Sequence, residues 1–339
     1  MRIMHVVQTD AFAGVERYVA VLAASQHAKG DHVVVIGGNQ DHVHEALGGR
    51  AVAQRPARTL VETVRAVDQW RAADVIHTHM TAAETAALLS IRTHDVPVVA
   101  TRHFAQRRGR SAAGHLAAPL IRRRISAQIA VSRYVAQRID GECVVIHPGV
   151  PSVENSRPSA QRNPTVLVAQ RLEWEKRTDV ALRAFTLSGL AAQGWRMEVA
   201  GVGAQRRELE RLSATLGVED AVSFLGFRSD MPGLMQRSSL LLASSPAEHF
   251  GLTVVEAMAA GLPVVATGAA GHLETVGAAA GAALFAPADA AEAGSVLARL
   301  AGDPAARDRY AEELVALQRE RFSLEAQVDA IDAVYRGLL

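Results

Sequence analysis

The sequence has little of what a disulfide-stapled, membrane-spanning or nucleic-acid-binding protein needs. Cys143 is the single cysteine among 339 residues, so no intrachain disulfide can form, which fits a reducing compartment. No apolar run approaches the ~20 residues of a membrane span. No charged segment followed by a long apolar run opens the chain, so no signal peptide is visible and a cytoplasmic location is expected. A net charge of +1 argues against a general nucleic-acid binder. Lysine is almost missing: only Lys29 and Lys176 occur, beside 34 arginines. A chain so biased towards arginine can keep a lysine for its compact, flexible ammonium. Chance is the other reading, and it suits Lys29, which precedes a glycine at an expected helix end. Acids are missing from Val96 to Ile139, where Arg102, Arg107, Arg108, Arg110, Arg122, Arg123 and Arg124 crowd together. Such a stretch can dock on anionic lipid, giving a peripheral contact through 107–124, or bind an acidic acceptor. It can equally be a solvated basic face.

What is present suits two ordinary α/β domains. Hydrophobic residues make up 49% and charged residues 21%, enough for a large core. Arg2–Val7, a glycine-bearing loop, a helical pattern from Val15 to Ala28 and a strand His32–Ile36 make a βαβ unit. Further strands are expected at 74–77, 96–101, 128–132 and 143–147, separated by helical segments. A polar, proline-containing stretch then runs to Pro164, and the domain boundary is placed at 155/156. The pattern restarts with strands at 165–169, 196–200, 222–225, 240–243, 264–267 and 282–285. Two helices, about 304–319 and 324–338, end the chain. The halves are 1–155 and 156–322, with a last helix in 323–339. Two doubly wound units imply a cleft, with ligands at the carboxyl ends of the strands.

The most informative stretch runs from Ser244 to Thr267. Glu248 lies in a loop, Phe250, Gly251, Leu252 and Thr253 open a helix, and Glu256 rides on it. Gly261 sits where a helix ends in a left-handed residue, and Pro263 prevents its resumption. A helix start attracts anions such as phosphate. Two carboxylates beside it need other partners, such as sugar hydroxyls, so the stretch points to a nucleotide-sugar site. Arg171 and Lys176 follow the first strand of the second half, where two cations suit a diphosphate and the charge that develops as it leaves. A solvated loop in which Glu173 and Glu175 pair them is the bland reading. Gly14, in the first loop, and Gly201-Val202-Gly203 are weak phosphate-loop signals that tight turns explain as well. His103, after a strand of the first half, can hydrogen-bond a sugar or move a proton. His77 and His79 share one side of a strand. A metal pair is conceivable there, but no third ligand at useful spacing and no Asp-x-Asp is visible, so packing is preferred and no metal is expected.

Together these residues resemble the retaining glycosyltransferases of family four, which have the GT-B fold: two Rossmann-like doubly wound domains facing across a cleft. The likeness covers nearly the whole chain. Its most specific part, Glu248-His249-Phe250-Gly251-Leu252 through Glu256-Ala257-Met258-Ala259-Ala260-Gly261-Leu262-Pro263, looks like the family's E-x7-E signature. The resemblance implies a hexosyltransferase-type enzyme that moves a sugar from a UDP- or GDP-sugar to an unidentified acceptor. Retention, without metal or other cofactor, by front-face attack is implied as well. It implies that Arg171 and Lys176 hold the diphosphate and that Glu248, with the backbone of Phe250 to Thr253, positions the sugar. Glu256 would bind the ribose, Phe227 and Arg228 would border the base, and Gly203 would lie on the donor side. Gly14 would lie near the diphosphate or acceptor, His103 would contact the sugar, and the last helix would cross back to the first domain. The chain departs from the family at Ala13, Arg177 and Ala270, where glycine is usual. A nucleotide-sugar epimerase of the same architecture and a non-catalytic nucleotide-sugar-binding protein are the alternatives.

Overall fold

A computed structural model describes residues 1–109, 112–154 and 157–339, with the side chains of 112, 113 and 115 left out. Arg110 of the basic stretch and the expected boundary at 155/156 therefore lie outside the described residues. The chain forms two units, 1–148 with 324–339, and 149–323.

In the first unit, seven strands form a parallel sheet: β1 (Arg2–Val7), β2 (His32–Ile36), β3 (Ala53–Arg55), β4 (Val75–His79), β5 (Val98–Arg102), β6 (Ala127–Ala130) and β7 (Val144–Val145). Their order is β3-β2-β1-β4-β5-β6-β7. The order reverses between β1 and β4, a topological switch point. The central strands read as apolar runs because helices cover both faces. Ile3, Val33, Val35, Val75 and Val99 pack with helix Gly14–Ala28 and with Val328, Ile331 and Tyr335 of helix Leu324–Arg336. Met4, Val34, Ile76 and Val98 pack on the other side with Ala66, Val67, Ala83 and Ala87. The last helix thus completes the core of the first unit. β3 and helix Gln40–Ala46 had no clear signal in the sequence, being short and largely polar.

The basic stretch is not one surface. Arg108 is buried and makes a two-pronged pair with Glu84, at 2.6 and 2.9 Å, and a third bond to Asp140 at 2.7 Å. Arg102 is buried beside them, 3.3 Å from Asp140. Arg124 donates to the carbonyls of Thr93 and Val96. The acids missing from the stretch arrive from outside it, because a charge taken out of water must be paired. Arg107, Arg122 and Arg123 remain exposed.

The second unit has six parallel strands: β8 (Asn163–Ala169), β9 (Arg196–Ala200), β10 (Val222–Gly226), β11 (Ser238–Ala243), β12 (Val264–Thr267) and β13 (Ala283–Phe285). Their order is β10-β9-β8-β11-β12-β13, so the switch point lies between β8 and β11. β11 starts two residues earlier than its apolar run, because Ser238 and Ser239 are buried and bonded to the carbonyls of Leu234 and Asn163. Helix Ala290–Gly302, between β13 and the expected pair of closing helices, was not anticipated. Arg162 is buried and donates to the carbonyls of Met235, Ser238, Ala260 and Gly261, all at 2.8–2.9 Å. It closes the amino end of the sheet and ties down the turn that ends helix Leu252–Ala259.

The core of the first unit is polar at its centre. His5 and His77 are register partners on β1 and β4, and His79 ends β4; none of the three is exposed. His5 supplies the third imidazole that spacing along the chain did not reveal, with ligating atoms of the three within 4.8 Å of one another. Every one of these rings is also hydrogen-bonded: His77, for example, lies 2.5 Å from Tyr335 Oη and 2.6 Å from Thr101 Oγ1. Burial lowers the His5 pKa to about 4 and holds His77 and His79 well below the usual range. Between pH 6.5 and 4 the unfolded imidazole binds a proton that the folded one does not. The stabilisation is therefore complete above pH 6.5 and is lost on acidification. At about 1.4 kcal/mol per unit, His5 alone accounts for roughly 3 kcal/mol. Urea unfolding of the whole chain at several pH values should show the first unit weakening between pH 6.5 and 4.5; a flat profile over that range would contradict the assignment.

Candidate functional site

The loops at the carboxyl ends of β8 to β12 form one hydrogen-bonded rim on the second unit. Gln170, just after β8, is half-buried. Its side-chain nitrogen donates to Lys176 O at 3.0 Å, Thr178 Oγ1 at 2.9 Å and Ser244 Oγ at 3.1 Å. Ser244, just after β11, donates to the same Lys176 carbonyl at 2.9 Å. These bonds span the switch point and fix the Lys176 loop against the loop that carries Glu248. Lys176 Nζ lies 2.6 Å from Glu248 Oε2, with both side chains mostly shielded from solvent. Burial by itself would raise the Glu248 pKa. The Lys176 ammonium, through its charge and hydrogen bond, more than reverses this and lowers it, with His272 and His249 adding to the effect.

Lys176 ends a short turn, Trp174–Lys176, and Arg177 follows with φ +53° and ψ +42°. This is the left-handed conformation that a glycine adopts freely, and for other residues it costs about 1–2 kcal/mol. A two-pronged bond from Arg177 to Asp179, at 2.9 and 3.1 Å, holds the loop in place. Arg171 is exposed and pairs with Glu175 at 2.9 Å. Glu173 accepts from the Ala204 backbone at 3.2 Å. The structure thus brings Lys176 to Glu248, while Arg171 has the partner of the bland reading.

Helix Leu252–Ala259 begins at Gly251, which has φ +98°. Its end has the expected left-handed Gly261: Leu262 donates to Ala257 O, and Gly261 to Met258 O. Phe250 is buried, its ring 5.9 Å from that of Phe322, so only its backbone can face a ligand. Leu252, Thr253 and Glu256 are half-buried in the first helical turns. The first-turn N–H groups have no partner within the helix. The loop after β12 closes on this start. Gly271 donates to Glu248 O at 2.8 Å, and a side chain at 271 would meet the Phe250 backbone at 2.6 Å. His272 is buried there, which lowers its pKa.

The remaining candidates divide by what their surroundings require. A Cβ on Gly203 would meet the Leu172 carbonyl at 2.3 Å, so close backbone approach explains that glycine. A Cβ on Gly14 would meet nothing within 4 Å, so packing gives no reason for it. Gly14 opens helix Gly14–Ala28, where Glu16 accepts from Ala13 N at 2.8 Å. Phe227 is 73% exposed after β10, and Arg228 is held by Asp230 at 2.6 and 2.7 Å. His103 follows β5 in the first unit, half-buried, with Nε2 3.1 Å from His79 Nδ1. The sequence reading missed Gln170, Ser244 as a tether, Arg162 and His272. Gln170 carried one usable signal, its place directly after the strand that enters the switch point.

Because Gln170 and Ser244 share the Lys176 carbonyl, their removal should not be additive. Gln170→Ala and Ser244→Ala should each destabilise the second unit, and a double-mutant cycle by urea unfolding should give a coupling of about 0.5–3 kcal/mol. Strict additivity would contradict the shared tether.

Residues 152–314 match the family model described as "Glycosyl transferases group 1", and residues 12–153 match that described as "Glycosyltransferase Family 4". The chain is 28% identical over 257 residues to an exopolysaccharide phosphotransferase of Streptomyces coelicolor, covering 73% of this chain and 27% of that protein. It is 34% identical over 144 residues to a 2-deoxystreptamine glucosyltransferase of Streptomyces kanamyceticus, covering 42% and 37%. It therefore spans well under half the length of these relatives. The crystal structure of Anabaena HepE in complex with UDP and glucose superposes with a TM-score of 0.81 at 21% identity, covering 99% of this chain and all of that one. The chain has the GT-B fold, its first half belonging to the glycosyltransferase family 4 domains and its second half to the glycosyl transferases group 1 domains.

Proposed function

We propose that the protein is a retaining glycosyltransferase that moves a hexose from a UDP- or GDP-sugar to an acceptor, without a metal. The observation that carries this reading is the Lys176–Glu248 pair at the β8/β11 switch point, beside the start of helix Leu252–Ala259. A diphosphate competes for the Lys176 ammonium and draws on the first-turn N–H groups. Glu248 is then released to hold sugar hydroxyls, and Glu256 to hold the ribose. Phe227, exposed after β10, offers a surface for the base, and Arg171 can exchange its surface partner Glu175 for a phosphate. Lys176 and the helix start stabilise the charge on the departing diphosphate. The bond from the anomeric carbon to phosphate oxygen breaks, the acceptor oxygen bonds to the same face, and its proton passes to the leaving phosphate. His103, after β5 of the first unit, is proposed to hydrogen-bond a sugar hydroxyl. UDP and glucose bound to HepE, a protein of the same fold, agree with this choice of donor class.

Transfer tests the reading directly. Lys176→Ala or Glu248→Ala should abolish it in proteins that remain folded, and near-normal turnover in both variants would sink the assignment. A thermal-shift screen of UDP, GDP, ADP and TDP and their sugars should single out one donor. Binding at a hundredfold excess over Kd stabilises the native state by about 2.7 kcal/mol.

We also propose a peripheral membrane contact, with fewer arginines than the sequence suggested. Helix Ala112–Arg124 exposes Leu116 (80%) and Leu120 (59%), close in sequence to the exposed Arg122 and Arg123. No helix among the described residues is long and apolar enough to cross a membrane. Vesicles containing phosphatidylserine should retain the protein at low salt and release it at high salt. Leu116→Ser with Leu120→Ser should reduce retention. Equal retention on neutral vesicles, or none on anionic ones, would remove the proposal.

A further inference from the structure

The buried histidines of the first unit are links in one chain that ends at His103. Gln26 Nε2 donates to Asp332 Oδ1 at 3.2 Å, and Gln26 Oε1 lies 2.7 Å from His5 Nε2. His5 Nδ1 is 3.2 Å from His79 Nε2, and His79 Nδ1 is 3.1 Å from His103 Nε2. Gln26, His5 and His79 have no exposed surface, and Asp332 is nearly as buried. Of the residues in this hydrogen-bonded line, His103 alone is half-buried rather than buried. Among the described residues none hydrogen-bonds its Nδ1. The rings are neutral, because burial disfavours the imidazolium at each of them.

A neutral imidazole has one donor and one acceptor, so the polarity of the first link sets every other. The Asp332 carboxylate only accepts. Gln26 therefore turns its amide nitrogen to Asp332 and its carbonyl oxygen to His5. That oxygen only accepts, so the His5 proton is on Nε2 and Nδ1 is its acceptor. His79 must then donate from Nε2 and accept at Nδ1, and His103 must donate from Nε2. His77 stands to one side of this line, between Tyr335 Oη and Thr101 Oγ1. A metal at His5, His77 and His79 would have to displace these bonds.

We infer that Gln26, anchored by Asp332, acts through His5 and His79 as a positioning residue that holds His103 in its Nε2–H tautomer, so that Nδ1 is an acceptor for a hydroxyl. That the hydroxyl belongs to a sugar rests on the proposed function; the tautomer does not. The link between Gln26 on helix Gly14–Ala28 and Asp332 on the last helix gives that helix a part in setting the state of His103.

The test is a long-range ¹H–¹⁵N correlation spectrum of the histidine rings in the ligand-free full chain at neutral pH. The inference expects His103 with a protonated Nε2 and a bare Nδ1, and the same state at His5 and His79. Gln26→Met removes the orienting oxygen, and Asp332→Asn lets the amide face either way with little change of shape. In both variants the single tautomer at His103 should give way to a mixture. A wild-type His103 protonated at Nδ1, or a wild-type spectrum unchanged in both folded variants, overturns the inference. So does a stoichiometric zinc(II) titration that shifts the His5, His77 and His79 nitrogens together, since the cluster is then a metal site. The spectrum contains no substrate, so absence of glycosyl transfer leaves its outcome intact, and a wrong tautomer leaves the transfer reading intact.

Discussion

The ion pair between Lys176 and Glu248 is the contact on which the proposed site of the second unit depends. Its two partners lie 72 positions apart in sequence and meet because β8 and β11 are neighbours at the point where the strand order reverses. A loop leaves each strand at the same edge of the sheet, and each loop needs an anchor. Gln170 and Ser244 provide it by converging on the Lys176 carbonyl. At the far end of the sheet, Arg162 draws together four carbonyls, two of them in the turn after helix Leu252–Ala259. The ammonium and the carboxylate are therefore held on a frame with polar anchors at both edges. A mostly shielded pair of this kind adds little net stability, because desolvation offsets the attraction. In the proposed function its value is that it can be exchanged: an incoming phosphate would take the cation and leave the carboxylate for hydroxyls.

The first unit solves a different problem. Its sheet carries histidines at positions where apolar residues would pack more simply. Burying them as neutral, fully hydrogen-bonded rings avoids the cost of an unpaired polar group. The result is a polar line through an apolar core that ends at the carboxyl edge, at His103. Two arginines of the same unit, Arg102 and Arg108, are buried as well, on Glu84 and Asp140. Both devices make the unit sensitive to acid, but they hold groups at the carboxyl edge in fixed geometry and fixed protonation.

The strands and the Ser244–Thr267 stretch were legible in the sequence because their signals are local. Apolar runs of five or six residues mark buried parallel strands, and Gly261 with Pro263 marks the end of a helix. Short or polar elements such as β3 were not legible, since a three-residue strand of Ala, Gln and Arg has no period to read. Partnerships between distant polar residues were least legible. Nothing near Arg108 announces Glu84, and nothing near His77 announces His5, because register across a sheet is set by the whole core. Arg171 shows the converse: a cation at the expected place beside the switch point, but paired on the surface with Glu175.

The central claim is that a nucleotide sugar binds on the second unit across the carboxyl ends of β8 and β11. Hydrogen–deuterium exchange with and without the donor singled out by the thermal screen measures this most directly, since it reports where backbone amides become protected. The account predicts slower exchange at 170–178 and 244–256, and little change in β9 and β13 away from that edge. Donor binding that leaves both segments unprotected would contradict it.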